Sequence, residues 1–152
     1  MNTPTYILHC KKLTARFPFM NDQMIKHGFT NVKWYTKDDA IDQEGKDLTG
    51  IYDGLRPECG EKMAIYNGNC HAPRELRAPE ISLSTKWGNV LKLIADGDDE
   101  YVLVLEDDAL LCENFTESFT NYLQSTPSDW DMIYLGDGCN LHAEYTEGTH
   151  AY

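Results

Sequence analysis

Tyr101-Val102-Leu103-Val104-Leu105-Glu106-Asp107-Asp108 decides the fold of this chain. An unbroken, β-branched apolar run that stops at a block of acids reads as a strand in the middle of a sheet covered on both faces. Upstream, Ile81, Leu83, Trp87, Val90, Leu91 and Ile94 recur at helical spacing from Pro79 to about Gly97, with Ser82 or Ser84 available as a cap near the start. Asp96-Gly97-Asp98-Asp99 makes the turn between this helix and the strand. Downstream, Phe115, Phe119, Tyr122 and Leu123 mark a helix over 114–124, and Met132-Ile133-Tyr134-Leu135-Gly136 reads as a further strand.

The amino-terminal part repeats the alternation. Tyr6 to Cys10 is a short buried strand, and Phe17, Met20, Met24 and Ile25 trace a helix ending at Gly28. Val32 to Thr36 is a second strand. Strand, helix, strand predicts an α/β domain built on one mostly parallel sheet flanked by helices. Residues 37–79 break the pattern with scattered glycines and prolines, and read as a long irregular insertion containing at most a short helix. The whole of 1–152 reads as one domain, large enough to bury a core.

The charge balance narrows the function. With 25 acids against 13 bases the formal net charge is -12. Such a surface repels nucleic-acid backbones and anionic membranes, and no nucleic-acid partner is expected. No stretch approaches the roughly 20 apolar residues that span a bilayer, and no basic segment precedes an apolar run at the start, so a cytoplasmic protein without a transmembrane segment is expected. Cys10, Cys59, Cys70, Cys112 and Cys139 are scattered and read as reduced thiols. Cys59, Cys70 and His71 lack the paired spacing of a zinc site.

Glu106-Asp107-Asp108 carries the chemistry. Like charges at close range repel by several kcal/mol in a medium less polar than water. A hard divalent cation with oxygen preference offsets that repulsion. Ligands of open α/β sheets bind outside the carboxyl ends of the strands, where the triplet lies. The bland alternative is a solvated turn, or acids attracted to a helix start.

Tyr101 to Leu111, Phe115, and Pro127-Ser128-Asp129-Trp130-Asp131-Met132-Ile133-Tyr134-Leu135-Gly136 resemble the core of glycosyltransferase family 25, which includes lipooligosaccharide and collagen-type galactosyltransferases. The opening is similar as well: Ile7, Leu8, His9 and Cys10 fill the family's first strand, and Arg16 falls at its arginine. Leu83, Ser84 and Lys86 occupy the place of a family helix, and Gly148 to Tyr152 resemble a later strand. His9 stands where asparagine is usual, Cys10 where leucine is, and Trp87 follows Lys86 where histidine is common. The chain is shorter than its relatives and is expected to be a partial domain, truncated before acceptor-side elements.

The resemblance implies a GT-A-like, Rossmann-like sheet with a nucleotide pocket at the strand ends. It implies transfer of a sugar, galactose or glucose, from a UDP-sugar to a hydroxyl of a glycan or glycoprotein, with inversion, as in lipopolysaccharide biosynthesis. Mn²⁺ or Mg²⁺ would be held by Asp108 first and Glu106 second. Asp107 would meet sugar or ribose hydroxyls, or else cap the next segment. Arg16 would meet the base or diphosphate, or else be a surface helix arginine. Lys86 would approach the donor sugar or its phosphate, or else lie on a solvated helix face. Trp130 reads as core, and Asp129 and Asp131 as turn or acceptor-side acids. No residue is assigned as catalytic base, and His150 reads more readily as structural. A non-catalytic donor-binding or interaction domain of the same fold is the alternative. A metal-dependent phosphohydrolase is a third reading without a nucleophile motif.

Overall fold

The computed structural model of the protein describes residues 1–43 and 78–136. They fall in two compact units, 1–110 and 111–152. The first unit is α/β. Its elements in chain order are β1 (Thr5–Leu8), α1 (Arg16–Lys26), β2 (Val32–Tyr35), the short α2 (Ala40–Gln43), α3 (Ala78–Ala95) and β3 (Leu103–Glu106). The three strands form one parallel sheet in the order β2-β1-β3. The register pairs Leu8 with both Tyr35 and Glu106, so all three strands end at one edge.

Pleating sends alternate side chains to opposite faces, and the contacts tell which helix covers which face. Phe17 of α1 lies 4.4 Å, ring to ring, from Trp34, which pairs with Ile7. Trp87 of α3 donates from Nε1 to Glu106, one residue beyond the Leu105 that also pairs with Ile7. The two helices therefore cover opposite faces, the arrangement that right-handed crossovers in opposite directions produce. The core follows: Ile7, Leu8 and Leu103 from the sheet, Met20 and Met24 from α1, Val90 from α3.

The α1 helix ends as its sequence dictates. Gly28 takes φ +68°, a left-handed conformation that costs glycine nothing. Its amide bonds to the carbonyl of Ile25, and the Phe29 amide bonds to that of Met24. This double closure is a Schellman motif, and the buried Phe29 supplies its apolar contact.

Three sequence expectations are corrected. The run ending in Glu106 is not central: β1 holds that place, and β3 is at the edge of the described sheet. Ser82 is no cap, since α3 begins at Ala78 and the Ser82 hydroxyl instead donates to the carbonyl of Asp38. The second unit contains α4 (Phe115–Ser125), but Met132 to Gly136 form no strand. Apolar alternation makes a strand only where a partner satisfies its backbone, and the described part of this unit offers no other strand. The insertion expected over 37–79 begins with α2, and 44–77 lie outside the described residues, as do Cys59, Cys70, His71, Cys139 and 148–152. Among the described residues no helix is long and apolar enough to cross a membrane.

Ile7 is fully buried in the central strand. Ile7→Ala should cost about 3–4 kcal/mol in urea unfolding, the range for deleting a buried aliphatic side chain. Ile25→Ala, at a side chain left 69% exposed on α1, should stay within about 0.5 kcal/mol.

Candidate functional site at the carboxyl edge of the sheet

The chain leaves β1 through α1 toward β2 on one side, then returns across β1 to place β3 on the other. The connections thus diverge between β1 and β3. In open α/β sheets ligands bind at such a switch point, outside the carboxyl ends of the strands. The residues that follow β1 and β3 stand there: His9 and Cys10 after one, Asp107 and Asp108 after the other.

Asp107 is the centre of this edge and is only 4% exposed. Its Oδ2 accepts from the His9 ring Nδ1 at 2.8 Å and from the Cys10 amide at 3.0 Å. Its Oδ1 accepts from Arg16 Nη1 at 2.7 Å. Burial works against ionisation, but the hydrogen bonds from Arg16, Cys10 and His9 outweigh it and hold the carboxyl below the usual aspartate range. The same hydrogen bond to Asp107 is the main cause that raises the Arg16 pKa, against the opposing effect of burial. His9 is itself fixed by aromatic neighbours, edge-on to Trp34 at 5.6 Å and 5.9 Å from Phe17.

A second buried ion pair lies beside the first. Lys86 Nζ donates to Asp39 Oδ1 at 2.6 Å and to the carbonyl of His9 at 2.8 Å. Asp39 Oδ2 also accepts from the Lys11 amide at 3.2 Å. Asp39 opens α2, and the Asp42 carboxylate returns to its amide at 2.9 Å, one half of a capping box, the Asp39 carboxylate being taken by Lys86 and the Lys11 amide. Asp38 has φ +60°, a conformation that aspartate tolerates better than most residues. Its Oδ2 accepts from the Tyr35 hydroxyl at 2.7 Å and from Asn89 Nδ2 at 2.9 Å. Burial first, and that hydrogen bond second, push the Tyr35 phenol up.

The structure sorts the expected site residues. Arg16, Glu106, Asp107, Asp108 and Lys86 all come to the sheet edge where β1 and β3 end. The bonds of Asp107 run back to β1 and α1, and its two oxygens accept from His9, the Cys10 amide and Arg16. Lys86 is buried and bonded to Asp39 and the His9 carbonyl, so it lies on no solvated helix face. Glu106 turns to the α3 face, where it accepts from Trp87 Nε1 at 3.3 Å.

Asp108 is open, its side chain 55% exposed, and Arg16 Nη1 stands 3.1 Å from its Oδ2. Among the described residues no group of three or more His, Cys, Asp or Glu side chains forms a metal cage. In the second unit Asp129 and Asp131 are exposed and Trp130 is half-buried. The sequence reading does not single out Asp38 and Asp39, and it names His9 only as a first-strand residue standing where asparagine is usual. An Asp-Asp pair two residues past a strand was the available signal. The chain matches no known family model, no curated protein and no solved structure.

Two outcomes test this geometry. Lys86→Met strands the Asp39 carboxylate and should cost about 3–5 kcal/mol, whereas Lys86→Met with Asp39→Leu should recover most of that loss, because removing both charges leaves none buried unpaired. For Asp107 the folded pKa is depressed, so its stabilisation is complete above the unfolded value of about 4 and disappears as pH falls through the lower folded value. Asp107→Asn should therefore be less stable than the parent at pH 7 by about 2–3 kcal/mol, with the gap narrowing below about pH 4 in urea titrations.

Proposed function

We propose that the chain is a metal-dependent glycosyltransferase domain, similar to glycosyltransferase family 25, that moves a hexose from a UDP-sugar to a hydroxyl acceptor. The observation that carries this reading is the pair left open at the β1/β3 switch point: the exposed carboxylate of Asp108 beside the guanidinium of Arg16, itself 40% exposed. A carboxylate that can take a hard cation, next to a guanidinium that can pair with phosphate, suits a nucleoside diphosphate carrying Mg²⁺ or Mn²⁺.

The residues fit such a cation in a specific way. Mg²⁺ is commonly held by one or two carboxylates, with the remaining positions filled by water and substrate phosphate. Asp108, open beside Arg16, is the first ligand in this reading; Glu106, the second, faces α3 and would have to leave its bond from Trp87 Nε1 to join it. When bound, the cation supplies neutralisation of the charge that builds on the departing diphosphate.

The chain's own residues prepare the site. Asp107 sets the Arg16 guanidinium through a 2.7 Å hydrogen bond, so that its other nitrogens can pair with a phosphate oxygen. Asp107 acts in this reading as a positioning residue. Lys86 and Asp39 fix the end of β1 and reach the donor only through the backbone they hold.

Calorimetric titration of UDP into the chain checks the reading. Binding should require Mn²⁺ or Mg²⁺, and Asp108→Ala should weaken it at least about tenfold, a loss of about 1.4 kcal/mol. UDP binding of equal strength without metal would overturn it. Metal-dependent binding without sugar transfer to any acceptor would favour a donor-binding domain of the same fold.

A further inference from the structure

Phe17, the second residue of α1, is 44% exposed, yet its ring is not alone. It lies 4.4 Å from the Trp34 ring at a tilt of 36°, and 5.9 Å from the ring of His9. Trp34 is the last residue but one of β2, and His9 is the first after β1, so the ring stands at the carboxyl ends of two strands. Arg16, the preceding residue of α1, reaches from there to Asp107 and Asp108 after β3. The sequence neighbours of the ring are cationic. Lys11, Lys12 and Arg16 fall between Cys10 and Asn21, a stretch without an acid in a chain of 25 acids and 13 bases. Lys11 and Lys12 are exposed, and Lys11 Nζ stands 3.8 Å from the carboxylates of Asp39 and Asp42.

We propose that the Phe17 ring, backed by Trp34, is a stacking platform for the base of a nucleotide whose phosphate meets Arg16. The inference rests on the nucleotide-sugar reading for the nature of its ligand, and it requires no cation at Asp108. A scattered exposed phenylalanine needs no explanation. This one has an aromatic partner on one side and a half-exposed guanidinium as its neighbour in the chain. The ligand that uses both is planar and aromatic at one end and anionic at the other. Every nucleobase offers a π-face, and stacking on a protein ring is worth about five- to a hundredfold in affinity. A guanidinium answers a phosphate with paired hydrogen bonds. Packing against Trp34 and His9 fixes the ring before a base arrives, which lowers the ordering cost of binding. Other occupants leave part of the arrangement unused. A neutral sugar ring has no charge for the cations to meet, and an anionic membrane is repelled by a chain of net charge -12.

The test is saturation-transfer NMR with uridine monophosphate in buffer containing EDTA, so that no divalent ion takes part. The parent should bind it with a Kd of about 1 mM, and the base protons should receive more saturation than those of the ribose. Uridine, which lacks the phosphate, should bind about three- to fivefold more weakly. Phe17→Leu, which keeps an apolar side chain against Trp34, should weaken binding of the monophosphate at least about fivefold. Phe17→Tyr keeps the ring and should bind within about twofold of the parent, which separates loss of stacking from loss of fold. Ile25→Ala, at an exposed position near the far end of the same helix, should bind as the parent does. Equal binding by the parent and Phe17→Leu, equal binding of uridine and its monophosphate, or no binding by the parent in EDTA would overturn the platform; the metal-dependent UDP titration then decides the glycosyltransferase reading separately. Binding of methyl β-galactoside as strong as that of the monophosphate, or capture by phosphatidylglycerol vesicles that Phe17→Leu abolishes, would also overturn it and give the ring to a sugar or to a lipid surface. Binding of the monophosphate in EDTA, together with UDP binding of equal strength with and without metal, would keep the platform and remove the metal.

Discussion

The carboxylate of Asp107 is the constraint around which the sheet edge is built. A buried, unpaired carboxylate would cost several kcal/mol or simply take up a proton. This one remains ionised because three donors converge on it: the His9 ring and the Cys10 amide from the end of β1, and Arg16 from the start of α1. Those donors lie more than ninety residues away in sequence, so the bonds can be made only when β1 and β3 are paired in register. The polar centre thus specifies the alignment that the apolar residues of the two strands, being mutually interchangeable, specify less sharply.

His9 joins this cluster to the second buried pair. Its ring binds Asp107, while its carbonyl accepts from Lys86, which in turn binds Asp39 beyond the end of β2. Two ion pairs meeting at one residue tie together the carboxyl ends of all three strands and both long helices of the unit. Buried ion pairs contribute little net stability compared with apolar packing. Their location is the informative point. The sheet interior is held by Ile7, Leu8 and Val90, whereas the carboxyl edge is held by charged pairs. Charged pairs can order it without filling it.

Much of this fold is written in local pattern. The apolar runs around Ile7 and Leu103, the spacing of Met20 and Met24, and Gly28 each act within a few residues, so they can be read without knowing the fold. What pattern hides is pairing over distance. Lys86 reads as polar on any helix wheel, yet it is buried because Asp39, forty-seven residues earlier, lies opposite. Asp38 and Asp39 sit at the head of a stretch whose glycines and prolines suggest irregularity. Their role follows only from the position of β2 beside β1. The triplet was legible as a concentration of charge, but not in its division of labour. The pleat and the turn after β3 send Glu106 toward Trp87, Asp107 toward His9 and Arg16, and Asp108 to solvent. Met132 to Gly136 show the opposite failure, a good strand pattern without a strand partner among the described residues.

That division of labour has an electrostatic consequence. Within a chain of net charge -12, the carboxyl edge is partly balanced: Arg16 and Lys86 offset Asp107 and Asp39, while Asp108 stays open and Glu106 turns toward Trp87. Were all three strand-end carboxylates turned outward, an anionic ligand would meet a repulsive wall that salt screens only beyond about 8–10 Å. Burying Asp107 against Arg16 removes one of those charges from the surface and fixes a cation beside the acid that stays. The carboxyl edge can then present one exposed carboxylate and one exposed guanidinium at hydrogen-bonding distance from each other. An acidic chain keeps in this way an exposed carboxylate and a half-exposed guanidinium side by side. The switch point is the place in the sheet where backbone divergence leaves room for both.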